Sequence, residues 1–384
     1  MVITARALNR STLARQLLLE RAPIGVEEAV RRVVGLQAQH PGSPYVALWN
    51  RVADFAPEHL DGAVEGFRVV RSTLMRITLH LVHAEDYRAF REGMEPTLRG
   101  SRLHDPRFTA AGFTAADADA LLPDLLAYAG SARTGAELRE RLEAGRGGPV
   151  ESVAWRMVRQ YAPLWHAPTG PPWSFGAAQA FVAADELPVL SDPEASAAGL
   201  TALLRRYVEG FGPASVPDMA QFTTVPRRLV RGAVQTLERG GELERFEGAD
   251  GTVLYDVRGA VRPDEEVAAP PRLMAMWDST LLAYADRGRI LPAAYRKQVI
   301  RMNGDALPTL LVDGYVAGVW RPVDGGIEAS AFHPLPAGVW EALAAEAESL
   351  GRLLAARDPH VYRRFGHWWD KGLPAVESRV LPTR

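Results

Sequence analysis

The sequence predicts an α+β protein, mainly helical, in which three tandem helical units precede a small β-rich domain. Three observations carry this. Helical periodicity fills most of residues 1–258, strand-forming stretches close each helical group, and from about residue 259 short apolar runs alternate with Gly and Asp turns. Three helices and then a strand pair is the order of a winged helix. Its recurrence is an architectural repeat without evident sequence identity between units.

The units can be followed in order. In residues 1–105, positions 7–20 and 25–37 space their apolar residues by three and four and read as helices. A third helix is expected after Pro44 over "YVALWNRV". "FRVVRSTLMRITLHLVHAEDYRAF" (67–90) alternates β-branched and polar residues before turning helical. In residues 106–196, helices are expected at 114–128, 134–143 and 151–162, then strand-like "PLWHAP" and "PWSFG" around a Gly-Pro turn. In residues 197–259 a glycine stops the helix "AGLTALLRRYVEGFG", and Ser215 is the expected N-cap of "ASVPDMAQFT". "VPRRLVRGAVQTLERGGEL" should end at Gly240-Gly241, and a hairpin should turn at Asp250-Gly251. Residues 260–384 open with the charged, Pro-rich linker "RPDEEVAAPP". Strands are then expected in "RLMAMW", "TLLVDGYVAGVWRP" and "GIEASAFHP", and one clear helix at 337–357. Such strands suit a small barrel or sheet, taken here as a β-barrel; residues 358–384 receive no assignment.

Composition narrows the function. Cysteine is absent, which removes disulfides, thiol catalysis and Cys-based zinc sites and fits a reducing, cytoplasmic setting. No apolar run approaches the ~18 residues of a membrane span, and the first residues lack a secretory pattern, so no membrane association is expected. The net charge of −2 hides an asymmetry: residues 1–103 carry 14 basic against 11 acidic side chains, and residues 104–196 carry 7 against 12. Lys297 and Lys371 are the only lysines, so 42 of the 44 basic residues are arginine. That suits bidentate phosphate binding, and genome-wide coding bias accounts for it equally well.

The nine histidines show no metal-ligand spacing, no Gly-rich phosphate loop precedes a helix, and no GxSxG elbow occurs. No metal or cofactor is expected. What stands out is "LQAQHPGSPY": Gln37 and Gln39 flank one alanine where Pro41 and Pro44 force the chain to turn, with Tyr45 and Trp49 following. Such a pair ordinarily satisfies backbone groups at a helix end.

Four blocks change that balance. "GLQAQHPGSPYVALWNRV", "RSTLMRITLHLVHAEDYRAF" (71–90), "GPASVPDMAQFT" (212–223) and "WDSTLLAYADRGRIL" (277–291) resemble, in the same order, the winged-helix DNA glycosylases of the AlkZ and YcaQ type. The likeness runs from about residue 5 to about residue 335. It is nearer the AlkZ branch, associated with azinomycin resistance, which carries Gln-x-Gln where the YcaQ branch ends its motif in Asp. The resemblance implies three winged helix domains and a small β-barrel arranged as a C whose concave face holds DNA. It implies hydrolysis of the N-glycosidic bond of N7-alkylated purines, including bulky adducts and interstrand crosslinks. The motif glutamines fall on Gln37 and Gln39, with Pro44, Tyr45 and Trp49 beside them, and Arg76, Thr78 and His80 are expected near the site. The family pattern has Gly where Ile77 stands.

Two glutamines suit that reaction. Glycoside hydrolysis ordinarily needs an acid for the leaving group and a base for water. Alkylation at N7 makes the purine cationic, so it leaves neutral without an acid. What remains is to hold a water and to stabilise a sugar turning cationic, which amide dipoles can do. With two C-terminal lysines, a Schiff-base step is not expected, so the implied enzyme is monofunctional. DNA contact is expected through Arg205, Arg206, Arg227, Arg228 and Arg231, or these line solvated helix faces. The expected partner is double-stranded DNA carrying N7-alkylpurine adducts or crosslinks. The enzyme is expected to act as a monomer with no obligate protein partner. The rival readings are a non-catalytic winged helix regulator or damage binder, and a protein-binding scaffold. General repair and self-resistance to a DNA-alkylating antibiotic are both left open.

Overall fold

The computed structural model describes residues 2–383. Strand β1 (Val2–Ile3) leads into α1 (Ala5–Arg15), α2 (Val26–Arg32), α3 (Ser43–Trp49) and α4 (Pro57–Glu65). Between α2 and α3 lies β2 (Leu36–Gln37). Then come β3 (Val69–Thr73), β4 (Leu79–His83), α5 (Ala84–Gly93), α6 (Glu95–Arg102) and α7 (Pro106–Ala110). The helix expected over 25–37 stops at Arg32. Val34 at φ 71° and Gly35 at φ 155° turn the chain into an extended strand, because apolar spacing alone does not separate a helix from the buried strand after it. The helix α4 carried no prediction.

Next follow α8 (Ala115–Tyr128), β5 (Arg133–Thr134), α9 (Gly135–Arg146), α10 (Ser152–Tyr161), β6 (Leu164–Ala167) and β7 (Ala180–Ala183). "PWSFG" is loop; the partner of β6 lies further on, where "AFVA" pairs with it in antiparallel register. The third helical group is α11 (Pro193–Phe211), α12 (Val216–Thr223) and α13 (Arg227–Arg239), followed by the hairpin β8 (Leu243–Gly248) and β9 (Val253–Val257). Local chemistry sets these ends. Ser215 and Asp218 form a reciprocal capping box at α12. Gly241 (φ 71°) and Gly251 (φ 79°) supply the left-handed residues after α13 and within the hairpin turn.

The strand pairs do not stay separate. β2, β4 and β3 continue through β6 into β7 and β5 as one six-stranded sheet, joined where Arg71 opposes His166. Nor do residues 1–105 keep a core of their own. The helices α1–α4 share one hydrophobic cluster with residues 273–365, whereas Val70, Val82, Tyr87 and Phe90 belong to a second with residues 103–243.

The last segment corrects the expected β-barrel. β10 (Arg272–Leu273), β11 (Thr309–Val312), β12 (Tyr315–Val323), β13 (Gly326–Ala331) and β14 (Glu377–Pro382) form an open antiparallel sheet in that order, and β10 does not pair with β14. Between β10 and β11 lie the short helices α14 (Ser279–Leu282) and α15 (Arg296–Val299). The long helix α16 (Ala337–Arg357) packs against β10, β13 and β14, covering the sheet with side chains where a barrel would close it with hydrogen bonds. Residues 358–384, unassigned from sequence, supply α17 (His367–Asp370) and the edge strand β14. Trp320 on β12 is fully buried and its indole N–H donates to Met274 O at 2.9 Å. Burying such a side chain with its polar atom satisfied is worth about 4–6 kcal/mol in area terms.

Candidate active site

The glutamine pair lies at the end of a strand and not on a helix. Gln37 is the last residue of β2 and pairs with His80 on β4, and Ala38 N donates to Leu79 O at 2.7 Å. Gln37 belongs to the strand, and Gln39 follows two residues on, in the bend that leads toward α3. Gln37 is 6% exposed; Gln39 lies at the surface. Each amide oxygen meets a group that can only donate. Arg76 Nη2 reaches Gln37 Oε1 at 2.8 Å, and Leu79 N reaches Gln39 Oε1 at 2.9 Å. The oxygens are thereby fixed, each keeps a second lone pair, and each NH2 faces away from its donor.

Arg76 is held as firmly as the glutamine it holds. Its Nη2 also lies 3.2 Å from His80 Nε2, and its guanidinium sits 5.4 Å from the Phe222 ring centre on α12. His80 Nδ1 is 3.1 Å from Thr78 O. A carbonyl accepts and an arginine donates, so the proton is on Nδ1 and Nε2 accepts. Burial, then Arg76, pushes His80 down to about 3, so it is neutral at physiological pH. Burial lowers Arg76 to about 10, with Arg287 adding to the effect. The turn carrying Arg76 is strained: Arg76 has φ 54° and Ile77 φ 59°, a region that a β-branched residue rarely adopts. A glycine would adopt this conformation without that cost.

Beside Gln39 opens a cleft lined by His40, Arg71, His166, Trp173, Phe175, Asp358 and Arg364. Sequence reasoning nominated none of these seven. His40 adjoins the motif and was within reach. The others come from β3, β6, the loop before β7 and the segment after α16, and nothing local ties them together. Burial pushes His40 down to about 4, with Arg364 adding to the effect, and its ring packs edge-on to Tyr362 at 5.0 Å.

The remaining candidates separate. Thr78 lies next to the network, and its hydroxyl caps Met75 O at 3.1 Å. Pro44, Tyr45 and Trp49 are buried in α3; the Tyr45 hydroxyl bonds Asp61 and Ser174, and Trp49 Nε1 donates to Ser349. None of the three lines the cleft. Arg206 is partly buried and pairs with Asp86, Glu209 and Arg31 O, and Arg205 is tied to Glu209 and Glu242. Arg227, Arg228 and Arg231 are exposed on α13, opposite its buried face of Val230, Val234 and Leu237, and have no ion pair among the described residues. Among the described residues no three His, Asp or Glu side chains group as metal ligands, and no helix is long and apolar enough to cross a membrane.

Comparison with known proteins identifies the family. The family model described as "DNA glycosylase AlkZ-like" matches residues 30–353, a span that includes the glutamine pair. An interstrand DNA cross-link repair glycosylase of Streptomyces sahachiroi is 26% identical over 347 residues, covering 81% of this chain and 86% of that one. The solved structure of Streptomyces sahachiroi DNA glycosylase AlkZ matches with a TM-score of 0.75 at 21% identity, covering 92% of this chain and 97% of that chain. At that identity the likeness speaks for the fold.

Proposed function

This chain belongs to the AlkZ-like family of DNA glycosylases, and we propose that it is a monofunctional enzyme releasing N7-alkylated purines from duplex DNA, bulky adducts and interstrand crosslinks among them. The observation that carries the proposal is the pair of neutral amides, Gln37 and Gln39, each with its oxygen pinned by a donor. Neither side chain gives or takes a proton at neutral pH, so the leaving group must already be activated. A purine made cationic at N7 departs as a neutral molecule. The amides then hold a water with their free lone pairs and turn their dipoles toward the sugar as it becomes cationic. Both tasks are positioning and electrostatics. The two lysines, Lys297 and Lys371, lie far along the chain from the glutamine pair.

The finer architecture follows the same reading: three winged helix units, 1–105, 106–196 and 197–259, and a β-rich segment 260–384, wrapped as a C around DNA and acting as a monomer. The exposed arginines of α13, without an ion pair among the described residues, would serve the phosphates, with Arg205 and Arg206 committed to protein carboxylates. The curated relative's name supports crosslinks as substrates. Self-resistance to a DNA-alkylating antibiotic is a role within this reading.

One assay tests it. The protein is incubated with N7-alkylated duplex, the product is heated in base, and strand cleavage is scored beside Gln37→Ala, Gln39→Ala and Asp358→Asn. Release is expected to fall about 10²-fold or more in either glutamine variant and to change less than about tenfold in Asp358→Asn. Undiminished release by both glutamine variants removes the site assignment. A large loss with Asp358→Asn alone moves the chemistry to a carboxylate. Binding without any release favours the damage-binder alternative.

A further inference from the structure

The cleft beside Gln39 has a volume of about 360 Å3 and lies between the junction of the six-stranded sheet and the segment after α16. Its wall carries two guanidinium groups, Arg71 and Arg364, against one carboxylate, Asp358. The lining histidines add no charge. Burial, with Arg364 adding to it, holds His40 near about 4; burial, with Arg71 adding to it, holds His166 well below the ordinary histidine range. A net cationic cleft is a poor host for a purine that alkylation has made cationic, and a good one for an anion.

Arg71 is the informative residue. It is 6% exposed, and no carboxylate pairs with it among the described residues. A buried, unpaired charge is costly unless a ligand compensates it. Its Nε and Nη2 both donate to Ala38 O, at 3.1 and 2.8 Å, and its guanidinium lies 4.7 Å from the Phe175 ring centre. Its Nη1 has no hydrogen-bond partner among the described residues. Arg364, which also lines the cleft, is exposed, sits 4.6 Å from the Phe365 ring centre and forms no ion pair among the described residues. The loop before β7 also lines the cleft, with Ala177 and Ala178.

We propose that this cleft holds one phosphodiester group of the DNA strand under repair, with Arg71 and Arg364 as its donors. The proposal rests on the glycosylase reading above. Its consequence is mechanical. Arg71 grips the phosphate with one edge and Ala38 O, the carbonyl between the two glutamines, with the other. Seating the phosphate therefore sets the register of the glutamine pair against the adjoining sugar.

The test uses the full chain and two duplex series, one carrying N7-methylguanine and one unmodified, with single uncharged methylphosphonate linkages stepped across the site. One linkage is expected to weaken binding about 3- to 10-fold, and Arg364→Ala to weaken the fully charged duplex by a similar factor. The same variant should lower the slope of log affinity against log salt by about 1 and lose its sensitivity to that linkage. A variant that keeps the wild-type slope, or keeps the same penalty at every linkage, overturns the proposal. Binding is read without base release, which keeps the two readings apart. Active protein lacking the pattern removes the phosphate site alone; inactive protein showing it removes the glycosylase reading alone.

Discussion

Arg76 Nη2 donates to Gln37 Oε1 at 2.8 Å while lying 3.2 Å from the neutral Nε2 of His80, so one guanidinium nitrogen ties the buried glutamine to the turn that follows β3. Arg76 is thereby a positioning residue, acting through Gln37. Its replacement by Ala is expected to lower single-turnover base release about 10- to 100-fold and stability by about 1–3 kcal/mol, because Gln37 and His80 each lose a buried partner. Arg76→Lys, which keeps the charge but reaches one partner, should recover part of the release rate. A melting temperature that falls in both variants with release unchanged would detach Arg76 from the motif.

Ile77 stands at φ 59°, and its left-handed conformation costs about 1–3 kcal/mol for a non-glycine residue. Ile77→Gly should relieve that strain against a smaller loss of apolar contact, leaving stability unchanged or raised by about 1 kcal/mol, while Ile77→Val gains nothing. Denaturant midpoints decide it: a loss of more than about 1 kcal/mol in Ile77→Gly contradicts the strain.

Arg51 and Asp278 form a bidentate, fully buried pair, with both N–O distances at 2.9 Å. Asp278 also caps α14 through Thr280 N. Removing one partner leaves an uncompensated charge, so Arg51→Met or Asp278→Leu alone should cost about 3–5 kcal/mol. The double variant should cost clearly less than the two singles together. Additive losses in a double-mutant cycle would show that the pair is not coupled.

Acid should destabilise the protein through its buried histidines. His80 and His40 titrate near about 3 and about 4 in the folded chain, below the ordinary 6.5. The unfolded chain therefore binds more protons between those values, and stability present above about pH 6.5 is lost as pH falls through that window. Every tenfold difference in proton affinity between the folded and unfolded chain is worth about 1.4 kcal/mol. The melting temperature should fall from about pH 6.5 downward, and His80→Gln should flatten part of that slope. Base release normalised to folded protein should show no inflection near pH 6.5. An inflection there that disappears in His80→Gln would make this histidine a titrating participant.

Much of this molecule is written locally. Ser215 as N-cap, the Gly240-Gly241 stop, the hairpin at Asp250-Gly251 and the helix over 337–357 all follow from capping, left-handed glycine and unbroken periodicity, each decided within a few residues. The Gln-x-Gln pair was likewise visible as chemistry without a proton to exchange. The tertiary structure decided the rest. That Gln37 ends a strand and Gln39 is held just beyond it depends on bonding to Leu79–Leu81, far along the chain, which apolar spacing after Val26 cannot register. The open sheet in place of a barrel depends on α16 and the distant strand β14. The cleft is assembled from Arg71, His166 and Arg364, whose conjunction rests on hydrogen bonding between the strand pairs of two units and on the return of the C-terminus. Local propensity fixes where an element begins and ends; long-range pairing fixes which side chains meet.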